Sequence, residues 1–583
     1  MELSSAVPCF LPFLVTLLLS PASAAPNRLV VPWDTTKFGP DGPWQAVRIT
    51  LGGDDNRMAL GSQNVSEVSV YPGGTYSSRV FTKAACDNYP NSLCGIGGTW
   101  DPDTDQLSRQ RIQYRDDWII EAAGLNASDT RHLALGLTIQ GQTVWNATLA
   151  TCDTGHITYP NGEIGGVPLG SLSLGAPEMN QTFTLNDEVE DNINAPLFAA
   201  QLFQDGYIPS YSYGLHIGSA SFDYPGSLAF GGYNKGRVIE PVTSFRNESA
   251  LKLLDIGMGV EYGASPFKFE RREELLSTGV SDARAEPLAP YLSLPSKTCD
   301  NIASLLPVTY DPVLKYYLWD TDDQLYTKIV TSPAYLSFAF PSSRGDPDNV
   351  IIKVPFALLN LTLDHPISES PKQYFPCVPY EHGIILGRAF LQAAFLGRNW
   401  RSGTSWLAQA PGPGIAREGL GEQYANIPDD DTNIVGFEGD DLFNQSWAGH
   451  WSIVASQATN DETKPGGTNG AKPNDSDGTE PGSIEASDSI SGGLSTAAKA
   501  GMGVGVAIGA IVLFGVLTWL WRRRSASGKT PDSQPVTYDY KYYHHSQQNE
   551  SLRNGGAPVH ELPEHISAEP IEIPDTSTPR VGL

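Results

Sequence analysis

The chain has 583 residues, 40% of them apolar, which is enough for two or three domains with packed cores and excludes wholesale disorder. Against 38 Lys and Arg stand 65 Asp and Glu, a formal charge of −27. That balance excludes nucleic acid and anionic membrane surfaces as main partners. It also poses a question, because some of the carboxylates could serve catalysis.

In chain order, Phe10 to Leu19 is an apolar run that ends in Pro21-Ala22-Ser23-Ala24, small residues that fit a signal-peptidase site before Ala25. Residues 1–24 are therefore read as a signal peptide. From about 28 to 410, short apolar runs alternate with Gly, Pro, Asn and Asp turns, the pattern of a β-rich globular region with little helical periodicity. Residues 411–499 are rich in Gly, Asp, Ser and Thr and read as a solvated stalk. Residues 501–521 carry no charge and would span about 31 Å as a helix, matching the hydrocarbon thickness.

Arg522-Arg523-Arg524 follows at once, and Trp519 and Trp521 would sit at the interface, so the reading is a single-pass type I anchor with its N-terminal bulk outside the cell. Gly501, Gly505 and Gly509 form overlapping GxxxG spacings that would let two such helices approach and make a homodimer. Residues 522–583 are polar, with scattered prolines, and are expected to be a disordered cytoplasmic tail. Most of the acidity then lies on the exported side.

Export gives meaning to the Asn-x-Ser/Thr sequons at Asn64, Asn126, Asn146, Asn180, Asn247, Asn360, Asn444 and Asn474, all on the lumenal side and expected to carry glycans. Five cysteines outlast signal removal: Cys86, Cys94, Cys152, Cys299 and Cys377. In an oxidising compartment the simplest outcome is two disulfides and one odd thiol.

Several segments together resemble the pepsin-like aspartic peptidases. These are Trp44 to Gly52 as an opening strand, Ser227 to Gly232 as a hairpin closing a first lobe, Pro290 to Pro295 after a second active-site loop, and Ile384-Ile385-Leu386-Gly387-Arg388-Ala389-Phe390 beneath it. The resemblance implies an all-β, bilobal fold with lobes at 28–245 and 246–410. It also implies disulfides Cys86–Cys94 and Cys299–Cys377, with Cys152 left over. Ile157-Thr158-Tyr159 with Gly162, Gly165 and Gly166, followed by Leu172-Ser173-Leu174-Gly175, resembles the flap, with Tyr159 as its tyrosine. The glycosylated ectodomain, stalk and anchor are similar to the membrane-bound branch of that family at fungal surfaces.

In that family two aspartates share a proton and activate a water against the scissile amide. Here the first loop reads Val70-Tyr71-Pro72-Gly73, which sets Tyr71 at the aspartate position, and the second reads Ala285-Glu286-Pro287-Leu288, which sets Glu286 there and Leu288 where glycine belongs. A phenol with a pKa near 10 is no base at acid or neutral pH. The resemblance thus implies a degenerate dyad, with Gly73, Leu288 and Tyr159 left to line the cleft. Asp153-Thr154-Gly155 spells the family motif but stands two residues before the flap, so Asp153 reads as a turn residue rather than a catalytic one. His560 and His565 flank a proline in the tail, and no metal or cofactor is expected.

Three functions compete. The first is an inactive surface protein that binds a peptide or protein ligand in the cleft. The second is an active surface aspartic endopeptidase, and the third is a sensor or scaffold that works through the tail.

Overall fold

The computed structural model describes residues 26–454 apart from 53–64, 90–91, 102–111, 116, 185–191, 247–250, 344–347, 419–420 and 440. The signal segment 1–24 and the anchor 501–521 lie outside these residues. Among the described residues no helix is long and apolar enough to cross a membrane.

The first half is a barrel. After β1 (Leu29–Val31), which belongs to another sheet, its strands are β2 (Val47–Leu51), β3 (Ser66–Gly73), β4 (Ser78–Phe81), β5 (Leu125–Ile139), β6 (Gln142–Thr158), β7 (Ile164–Gly165) and β8 (Gly170–Ser173). β2 shows why this stretch is a strand, since Val47, Ile49 and Leu51 are buried while Arg48 between them is exposed. The sheet runs β4-β8-β3-β2-β5-β6-β7, and β4 pairs with β6 as well, so its edge closes on itself. Three short helices decorate it: α1 (Lys83–Asp87), α2 (Cys94–Gly97) and α3 (Asp117–Ala122).

The second half holds a five-stranded sheet in which Ser281–Ala285 lies parallel to Ile384–Leu386, flanked by two four-stranded sheets. A six-stranded sheet joins the halves. It sets β1, Ser227–Phe230 and Ser212–His216 beside Ala394–Asn399, Thr404–Gln409 and Ile239–Arg246. One continuous apolar core runs through both halves. The expected all-β, two-lobed architecture is what the described residues form.

Two expectations need correction. Residues 411–454 are not stalk. Tyr424–Asn426 pairs with Gly232–Asn234, the Ser452 amide donates to the Thr331 carbonyl, and Ile427, Ile434 and Trp447 are buried. A Gly- and Asp-rich composition hid large apolar residues, several of which are buried against the body. Leu172-Ser173-Leu174-Gly175, read as part of the flap, instead supplies β8 and the turn after it, central in the barrel and parallel to β3.

Candidate functional site

Two loops meet at the junction of the halves. In the first, β3 runs out at Gly73 and continues through Gly74 and Thr75. In the second, Ser281–Ala285 runs into Glu286, whose amide donates to the Leu386 carbonyl. The Glu286 carboxylate crosses the junction: its Oε1 accepts from the Gly74 amide at 3.1 Å and from the Leu288 amide at 2.8 Å. A Cβ on Gly74 would lie 2.5 Å from Glu286 Oε2, and one on Gly73 would lie 3.2 Å from Leu288 Cβ. Glycine at both positions is what lets the loops touch.

The registers relate the loops to one another. β3 runs parallel to β8 with Gly73 opposite Ser173, and Ser281–Ala285 runs parallel to Ile384–Leu386 with Arg284 opposite Ile385. Setting Leu174-Gly175 on Leu386-Gly387 puts Thr75, not Tyr71, at the place that Glu286 takes in the second half. Gly73 looks like the turn glycine in the sequence, whereas the strand runs through it before the chain turns. Thr75 is fully buried and its hydroxyl bonds that of Ser171 at 3.0 Å.

Glu286 is 3% exposed and lines a cavity of about 120 Å³ against the joining sheet, with Tyr213, Arg398 and Trp400. It is the only carboxylate among the described residues around that cavity. α3 covers this side. Ile119 is buried with its Cδ1 3.2 Å from where a Gly74 Cβ would be, and Trp118 lies under the Arg284 guanidinium at 4.4 Å. A shared-proton dyad needs a second carboxylate beside the first and a water between them and the scissile amide. Here the facing loop supplies Gly74 and Thr75, and the space over them is taken by Ile119.

A second cavity, about 210 Å³, opens between the halves beneath the β6–β7 hairpin. The hairpin forms because Ile157 pairs with Gly165 and Thr158 with Ile164, while Gly162 at φ 87° and the Asn161 side chain close the turn. Tyr159 at its base lines this cavity, as do Leu288 and Tyr71. Burial pushes the Tyr71 phenol far above its ordinary range, Arg388 opposes that shift, and Asp41 adds to it. The Tyr71 hydroxyl has no hydrogen-bond partner among the described residues, so it is not half of a pair with Glu286. Its ring instead carries the Arg388 guanidinium at 4.2 Å.

Sequence reasoning missed three residues here. Asp41 is buried in the cavity wall, accepting from Trp44 Nε1 at 2.9 Å and the Tyr291 hydroxyl at 2.7 Å. Its loop reaches the second half, where the Asp364 amide donates to Pro40 and the Tyr374 hydroxyl to the Asp41 carbonyl. Arg388 stood inside the quoted Ile-Leu-Gly-Arg string, but nothing local said that its Nη1 would hold the Leu288 carbonyl at 2.8 Å and that of Pro287 at 3.3 Å. Arg79, on β4, lines the same cavity.

Elsewhere, Asp153 lies within β6, not in a turn, and pairs with Arg131 at 2.7 Å on the barrel wall. Cys86–Cys94 and Cys299–Cys377 are disulfides. Cys152 is a buried thiol pushed by burial to about 11, too poor an acid to be reactive. Among the sequons, Asn126 is exposed and Asn146, Asn180, Asn360 and Asn444 are half-buried, while Asn64, Asn247 and Asn474 lie outside the described residues. No three His, Cys, Asp or Glu side chains group to hold a metal among the described residues.

The chain matches no known protein family and no curated protein. Among solved structures it is similar to the crystal structure of the aspartic proteinase from Irpex lacteus, with a TM-score of 0.39 and 11% sequence identity over 66% of this chain and 97% of that one.

Proposed function

We propose that this chain is a membrane-anchored, extracellular pepsin-like protein that does not cleave peptide bonds and holds a peptide or surface ligand in the cavity beneath Tyr159. One observation carries the reading. The acid at the loop junction, Glu286, is buried and bound by two backbone amides, and the loop that faces it offers Gly74 and Thr75 in place of a second acid. An acid that faces glycine and threonine has no second carboxylate to share a proton with, and so lacks the acid–base pair that amide cleavage by a dyad needs.

Binding needs less than catalysis does. A cleft holds an extended chain with backbone hydrogen bonds and side-chain pockets, and the cavity under the hairpin combines apolar walls with a few polar groups. The apolar segment 501–521 followed by three arginines supports the anchor, with Gly501, Gly505 and Gly509 pairing two copies, and the run before Ala25 supports export.

The test is a peptide-cleavage assay on the purified protein from pH 3 to pH 7, with and without pepstatin. No pepstatin-sensitive turnover is expected at any pH. Turnover that pepstatin abolishes would overturn the proposal in favour of an endopeptidase.

A further inference from the structure

The cavity beneath Tyr159 is built around cations. Arg79 and Arg388 both line it, are 8% and 7% exposed, and form no ion pair among the described residues. Each has a buried Nε without a partner, as does the Tyr71 hydroxyl on the same wall. Their arrangement follows from the barrel. Ser171 on β8 is the register partner of Tyr71 on β3 and also of Arg79 on β4, so the three side chains stand in a row on one face of adjacent strands. Arg388 stacks over Tyr71 and so continues the row into the second half.

A buried guanidinium costs free energy unless an anion or a full set of acceptors meets it. The acceptors present are few. Arg79 Nη1 reaches Thr130 at 3.4 Å and the Arg79 guanidinium also meets the Cys152 sulfur, a weak acceptor, while Arg388 Nη1 reaches the two loop carbonyls. The carboxylates that line the cavity are engaged elsewhere. Asp41 has one donor on each oxygen, and Asp364 is exposed at the rim, accepting from the His365 amide. Lys37, also at the rim, pairs with Asp223.

We infer that the cavity is a carboxylate-binding site, in which Arg79 and Arg388 take the carboxylate of a peptide ligand and the Tyr71 hydroxyl donates to it. Arginine's planar fork suits that geometry. The carboxylate could be a Glu or Asp side chain or the ligand's C-terminus, which share this chemistry. The inference rests on the peptide-binding reading above and deepens it by naming the ligand's charge.

The experiment is calorimetric titration of the full chain with three acetylated Ala/Gly hexapeptides: one with a central Glu and an amidated end, one with Gln in its place, and the Gln peptide with a free C-terminus. The Glu peptide, the free-terminus peptide or both are expected to bind at least tenfold more tightly than the amidated Gln peptide, and which of them does so identifies the source. Arg79→Met should remove the preference while leaving the weak Gln-peptide binding in place. Tyr71→Phe, which keeps the ring under Arg388, should weaken only the carboxylate peptides, by roughly threefold to tenfold. That second variant keeps the test open should Arg79→Met fail to fold.

Equal binding of all three peptides would overturn the carboxylate site while leaving peptide binding standing. Binding of none would remove both. A carboxylate preference that survives Arg79→Met and Tyr71→Phe would overturn the assignment to these residues.

Discussion

The two loops that meet between the halves have the same strand register and turn beneath them, yet they are finished differently. The second half ends its strand in an acid and follows it with Pro287 and Leu288, bulky residues that fill the turn. The first half ends in Gly73-Gly74 and a buried threonine, so its loop meets Glu286 with a bare amide. As a result Glu286 is satisfied by backbone across the junction. The same inequality appears in α3, the helix of the first half that packs Ile119 over Gly74. The other cavity between the halves lies under Tyr159, and its buried charges are mostly positive.

The difference between the halves should be largest in acid. Both buried histidines with depressed pKa fall in the first half: His132 on β5, held down to about 3 by burial and then by Arg79, and His216 on the joining sheet, also about 3, by burial and then by Arg237. Their folded pKa lies below the unfolded value of about 6.5, so the stability they permit is complete above pH 6.5 and is lost as pH falls toward 3. Together they should remove about 4 kcal/mol between pH 7 and pH 5. Urea unfolding at the two pH values checks this, and His132→Gln with His216→Asn should flatten the slope. A stability that holds steady down to pH 4 would show that the halves do not differ in this way.

The disulfides come next. Cys299–Cys377 closes a separation of 78 residues, Cys86–Cys94 one of 8. By loop entropy, replacing the first pair with alanine should cost about 4.5 kcal/mol and replacing the second about 2.6 kcal/mol. Denaturant midpoints of the two double variants give the ranking directly. The reverse order would mean that the second half keeps residual structure when unfolded.

Much of this was legible beforehand because it depends on local pattern. Alternating apolar residues located β2, the Gly-rich hairpin located Tyr159, and the Ile-Ile-Leu-Gly string located the strand under Glu286. Those features need only a few neighbouring residues. Long-range registers were not legible. Tyr71 was set opposite Glu286 because Gly73 looked like the turn glycine, and only the pairing of β3 with β8, about a hundred residues away, moves that position to Thr75. Asp41, Arg79 and Arg388 escaped notice for the same reason, since each is ordinary in its own sequence neighbourhood and becomes notable only where two halves enclose it. The fold of 411–454 was lost to composition, because its apolar residues, Trp447 and Ile427 among them, follow neither a strand nor a helix period.

The junction itself gives a sharper test. Gly74→Val would push a side chain into Glu286 Oε2 and Ile119 Cδ1, at 2.5 Å and 3.2 Å from the first added carbon, and should cost about 3 kcal/mol. In a Glu286→Ala background the same change should cost less, because the closest obstacle has gone. A cycle of the four proteins isolates the contact. Strict additivity would mean that Ile119 and not Glu286 sets the fit, and that α3 is what joins the loops.

The smallest effect is expected at Glu286, and it bears most directly on why the two loops differ. Glu286→Ala leaves the half-buried Gly74 amide and the buried Leu288 amide without their acceptor and should cost about 2 kcal/mol. Glu286→Gln keeps a carbonyl oxygen at the same reach and gives up only the charge, so it should cost about 1 kcal/mol. If Glu286 served as an acid or base, the Gln variant would be the damaging one in function while remaining the mild one in stability. If it is a structural acceptor, ligand binding in the Tyr159 cavity should survive Gln unchanged and fall with Ala only as far as the junction loosens. Measuring unfolding and peptide affinity on both variants separates the roles, because hydrogen-bond acceptance tolerates the amide and proton transfer does not.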